Sequence, residues 1–80
     1  MRKYNTKNEI QKITCNMCKR ELKIENGIVK EGVFGSEYLW NYFSDKDGQV
    51  HSFDLCESCY DKLMKQFKIR PEIKETTELI

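Results

Sequence analysis

The sequence predicts a small α+β domain, β-hairpins followed by one C-terminal helix, held together by its cysteines. Three observations carry this. The chain is 80 residues long, short for even one domain at about 100–200 residues each. Its four cysteines form two C-x-x-C pairs, Cys15-Asn16-Met17-Cys18 and Cys56-Glu57-Ser58-Cys59. Hydrophobic periodicity has strand character before the second pair and helical character only after it.

Composition narrows the class further. A chain this short buries only about 60% of its unfolded surface, so a metal, disulfides or a partner commonly supplies what its core lacks. The balance is 14 Lys+Arg against 13 Asp+Glu, a formal +1 without the single histidine. That is not the strongly basic footprint of a general nucleic-acid binder. Met1-Arg2-Lys3-Tyr4 and the residues up to Glu9 carry charge but no apolar run, so residues 1–9 read as a flexible N-terminal segment and the protein as cytoplasmic.

In a reducing compartment the two C-x-x-C pairs point to a metal rather than to disulfides. A two-residue gap lets one tight turn aim two sulfurs at an ion about 2.3 Å away, and two such turns complete a tetrahedron. Cys15, Cys18, Cys56 and Cys59 are therefore the expected ligands of one Zn²⁺. Iron, which also accepts four sulfurs, is the alternative. Four thiolates around a divalent ion carry about −2, which brings the loaded chain near −1.

The elements follow in order. Ile10-Gln11-Lys12-Ile13-Thr14 reads as a short strand entering the first cysteine pair. Glu21-Leu22-Lys23-Ile24-Glu25 alternates polar and apolar, as a half-buried strand does. Asn26-Gly27 then predicts a type I′ hairpin turn, and Ile28 to Phe34 a returning strand with a bulge at Gly32. Gly35-Ser36 reads as a break before a second hairpin, Glu37–Phe43 with Gln49–Leu55, joined by the turn Ser44-Asp45-Lys46-Asp47-Gly48. Beyond the second pair, Tyr60, Leu63, Met64 and Phe67 recur at helical spacing. Asp54 or Ser58 is the expected helix cap, and Pro71 the stop. The zinc-binding domain is thus expected over residues 10–69, with 70–80 an extended or disordered tail.

A cysteine pair, a hairpin, then a second pair running into a helix resembles the treble-clef zinc fold. Cys15-Asn16-Met17-Cys18 looks like the C-x-N-C-type knuckle of GATA-type fingers. Leu55-Cys56-Glu57-Ser58-Cys59-Tyr60-Asp61-Lys62-Leu63 looks like their helix entry. The chain is also similar to small bacterial and phage proteins with paired C-x-x-C motifs. Unlike GATA fingers, it has a long gap between the pairs and no basic tail to enter DNA.

With all four ligand positions filled by sulfur, no open position remains to activate water, so the metal is read as structural and the module as non-enzymatic. The expected partner is a protein, met through Tyr38, Trp40 and Tyr42, because such aromatics dominate interface hot spots. The alternative is a transcription-regulatory finger in which Lys19, Arg20, Lys23, Lys62 and Lys65 contact nucleic acid. A second alternative is a rubredoxin-like iron redox protein. No membrane association or small-molecule substrate is expected. His51, five residues before Cys56, is read as a strand histidine, with a role beside the metal left open.

Overall fold

In the structure, a computed structural model, residues 1–76 are described. Six strands precede one helix: β1 (Arg2–Tyr4), β2 (Ile10–Ile13), β3 (Ile24–Glu25), β4 (Ile28–Val29), β5 (Val33–Leu39), β6 (Val50–Cys56) and α1 (Glu57–Met64). Each strand pairs with its sequence neighbour, giving three antiparallel two-stranded hairpins, β1–β2, β3–β4 and β5–β6. The α+β class is therefore present.

Where residues 1–9 read as flexible, the structure holds a hairpin. Arg2 faces Ile13 and Lys3 faces Lys12, with an irregularity before Tyr4. The turn is built by asparagines. Asn5 Oδ1 accepts from the backbone N–H groups of Lys7 and Glu9 at 2.9 and 3.0 Å, and Asn8 takes a left-handed φ of 62°. Short polar side chains that imitate a backbone turn do this well.

The β3–β4 hairpin turns at Asn26 (φ 52°) and Gly27 (φ 73°), the two positive values that a type I′ turn needs. The long hairpin differs from expectation. Strand β5 runs through Gly35-Ser36 without a break, and Trp40, Asn41, Tyr42 and Phe43 lie beyond it in the connecting loop. Gly35 marks a close approach instead. A Cβ there would stand 2.7 Å from an Nη of Arg2 and 3.1 Å from Oδ1 of Asp54.

The helix opens inside the second cysteine pair. Cys56 is the N-cap, extended at φ −70° and ψ 161°, with no side-chain cap, so neither Asp54 nor Ser58 fills that role. The helix also closes sooner than its periodicity suggests. Lys65 ends it, and Phe67 falls beyond, bonded as a turn to Met64. The tail from Arg70 has no regular structure up to Thr76, and its expected apolar end, Leu79 and Ile80, lies outside the described residues.

The core is small. Among the described residues its buried apolar members are Ile13, Leu22, Leu55, Cys15, Cys56 and Cys59, with Ile10, Ile24, Val29, Val33 and Leu63 packed around them. Half of the buried set is cysteine, so the centre of the molecule is a cluster of sulfur.

Candidate metal centre

The first cysteine pair sits in a tight turn between β2 and β3. Lys19 donates its N–H to the Cys15 carbonyl and Cys15 donates to that of Arg20, both at 2.9 Å, with Lys19 in the left-handed region at φ 66°. The second pair spans the end of β6 and the first turn of α1. Two hydrogen bonds dock one turn on the other, and a third closes the flanks of the first turn. Asn16 N–H donates to the Asp54 carbonyl at 2.8 Å, the Asn16 side-chain oxygen accepts from Asp54 N–H at 3.0 Å, and Leu22 N–H bonds Ile13.

This brings the Sγ atoms of Cys15, Cys18, Cys56 and Cys59 within 4.8 Å of one another. Cys18 and Cys56 are 3.9 Å apart, and all four are free thiols. A tetrahedron with metal–sulfur bonds of about 2.3 Å has edges of roughly 3.8 Å. The cluster therefore fits a single ion. Cys15, Cys56 and Cys59 are buried, while Cys18 is exposed.

The surroundings favour thiolates. Burial pushes the Cys15 thiol up, but backbone groups of Cys18, Cys56 and Met17 outweigh it and draw it down to about 6. Cys56 is lowered too, chiefly by the Cys59 backbone at the helix entry. Cys59 moves the other way, to about 12, because it shares its proton with the Cys56 sulfur and lies in a buried site. A divalent ion would draw the remaining protons off.

Charged side chains brace this centre. Arg20 donates to both carboxylate oxygens of Glu31, at 3.1 and 2.5 Å, and the Lys23 N–H donates to Glu31 at 2.6 Å. The Glu31 carboxyl is lowered by Arg20 first and by that N–H next, and the Arg20 guanidinium is raised by Glu31 and then by the Cys56 sulfur. Buried Asp54 accepts from the Met1 ammonium and from Arg2 Nε, each at 2.9 Å. The ammonium also donates to the Thr14 carbonyl and Asn16 Oδ1, both at 2.8 Å. Sequence reasoning gave Asp54 a capping role and missed this cluster. Its signal was an acid one residue before the apolar Leu55-Cys56.

The other sequence candidates lie away from the cysteines. Tyr38 ends near the tip of β5, edge-on to Trp40 at 5.3 Å, and Trp40 meets the His51 ring at 5.5 Å. Lys46 Nζ stands 4.5 Å over the Trp40 ring. Tyr42 is not on a strand face with them. It packs edge-on against Phe43 in the loop, and the two are 79% and 93% exposed. His51 bonds the Gln49 side chain at 3.0 Å and is not part of the sulfur cluster. Of the basic candidates, Arg20 is held by Glu31 and Lys23 by Glu25 at 3.3 Å, while Lys62 and Lys65 are exposed on and just after α1.

The chain matches no protein-family model, no curated protein and no solved structure. Among the described residues, no helix is long and apolar enough to cross a membrane. The site is thus a four-cysteine cluster able to hold a metal ion in a small α+β module.

Proposed function

We propose that this is a non-enzymatic zinc module of treble-clef type, cytoplasmic, whose Cys15, Cys18, Cys56 and Cys59 hold one structural Zn²⁺ and whose task is to bind a protein. The clustering of four sulfurs from two separate turns is the observation that carries the reading. The treble-clef assignment draws on the order of the parts: a cysteine turn, hairpins, then a second pair entering a helix. Zinc is favoured over iron because neither C-x-x-C turn is rich in Gly and Pro, as rubredoxin-like loops are. Four sulfur ligands leave no open coordination position, which is the ground for calling the metal structural.

The protein partner is read from the β5–β6 loop. It presents Tyr42 and Phe43, packed edge-on against each other, to solvent just beyond exposed Tyr38 and Leu39 at the end of β5, large apolar side chains of the kind that anchors interfaces. The nucleic-acid alternative would use Lys19, Arg20, Lys23, Lys62 and Lys65. Two of those five already hold carboxylates. The test is binding by the metal-loaded chain to its captured partner, with and without Tyr42→Ala and Phe43→Ala. The protein reading expects affinity lost in the variants and nearly flat between about 50 and 200 mM salt. Affinity indifferent to both variants and falling steeply with salt would replace it with the nucleic-acid reading.

A further inference from the structure

The outer edge of β5 has no hydrogen-bonded partner among the described residues, since β5 pairs only with β6. Native sheets usually blunt such an edge with lysine, proline or a bulge. The segment Val33-Phe34-Gly35-Ser36-Glu37-Tyr38-Leu39 has none of these.

Its pairing pattern says which groups are free. Trp40 N–H bonds the Gln49 carbonyl, so the even-numbered residues of the strand turn their backbone groups toward β6. The N–H and C=O groups of Val33, Gly35, Glu37 and Leu39 therefore face outward. Only an incoming strand that sets its own outward residues against these can complete the ladder.

We propose that the occupant of this edge is a second copy of the same strand, antiparallel, with the two-fold axis at Ser36. This deepens the reading of the hairpin as a protein-contact surface and rests on it. About Ser36 the strand pairs like with like at its outer positions, Phe34 with Tyr38 and Val33 with Leu39 of the copy, while Gly35 meets Glu37. Every one of the outward-facing residues then opposes another outward-facing residue, so the backbone register closes with the side-chain register. On one face, Phe34 and Tyr38, 40% and 52% exposed, form two symmetry-related aromatic pairs.

Charge complementarity decides the other face. Glu37 is the only charged residue of β5, and self-pairing sets it against Gly35 of the copy, not against its own equivalent. Gly35 has no side chain, and the space above it is filled by an Nη of Arg2, whose Nε holds Asp54 and whose guanidinium lines an open groove with Tyr4, Glu37, Ser52 and Asp54. Each Glu37 carboxylate thus arrives beside the other copy's Arg2. The contact is isologous and closes as a dimer with a continuous four-stranded sheet.

Sedimentation of the full, metal-loaded chain across a concentration series tests this. The wild type is expected at twice its monomer mass, falling to one on dilution. Glu37→Pro removes an outward N–H and no bond to β6, so it should stay monomeric with its metal content unchanged. Glu37→Lys sets like charges together and should weaken the dimer by about tenfold or more. It decides the matter should the proline variant lose its metal. A wild type that remains monomeric throughout, or a dimer indifferent to both variants, would overturn the proposal. A monomeric wild type leaves the loop's partner, read through Tyr42 and Phe43, to stand or fall separately.

Discussion

Asp54 shows how one side chain can join three parts of a small fold. It is 5% exposed, yet it carries a charge, and burial alone would push its carboxyl up. The Met1 ammonium and Arg2 more than offset that and hold it below its ordinary value of 3.8. Because the folded value is depressed, the stabilisation is fully present above the unfolded carboxyl's range and is lost only as pH falls through the folded value. Thiolates holding a metal ion would take up protons earlier in an acid titration, since metal binding competes with protons on sulfur. Asp54→Asn should therefore cost about 2 kcal/mol at pH 7, the same amount at every pH above the carboxyl's range, and so raise the acid midpoint of unfolding. Parallel acid and denaturant titrations of the two chains check this. A cost that already shrinks well above the carboxyl's range would place the carboxylate ahead of the sulfurs in acid unfolding.

At the scale of elements, what was legible in the sequence was what local chemistry decides. Asn26-Gly27 specifies its turn through two positive φ values, and the C-x-x-C spacing specifies two sulfur-bearing turns. Long-range contacts were hidden. Gly35 reads locally as a breaker, but its role is to admit Arg2 and Asp54 from β1 and β6, which no window around Gly35 contains. The same ion pair is why β1 forms in a stretch too polar to suggest a strand. The helix shows the converse error: Phe67 continues the apolar spacing but lies beyond the helix, 43% exposed, because spacing alone does not supply a core to cover it. If Gly35 exists for this contact, Gly35→Ala should cost about 1 kcal/mol by displacing Arg2. In an Arg2→Ala background that cost should largely vanish, as a double-mutant cycle in denaturant would show. Equal costs in both backgrounds would mean that Gly35 serves β5 itself.

For the whole molecule, the decisive fact is that three of the six buried apolar residues among those described are cysteines. Ile13, Leu22 and Leu55 alone cannot offset the ordering of three hairpins and a helix, at roughly 1.5 kcal/mol per residue. Structural zinc contributes on the order of 10–16 kcal/mol in small fingers, enough to decide whether such a chain folds. The cysteine cluster was readable because metal chemistry imposes its spacing on sequence. Which aromatics are exposed was less so, because exposure depends on where strands end: Trp40 packs under Lys46 and against His51, while Tyr42 and Phe43 project.

The central claim is that one metal ion organises this chain, and the most direct measurement is metal content per chain, with a count of reactive thiols, on protein purified without added metal. About one zinc per chain with the four thiols protected, and loss of the cooperative melt on chelation, is the result this account predicts. A chain free of metal, with four reactive thiols and a cooperative melt of its own, would contradict it.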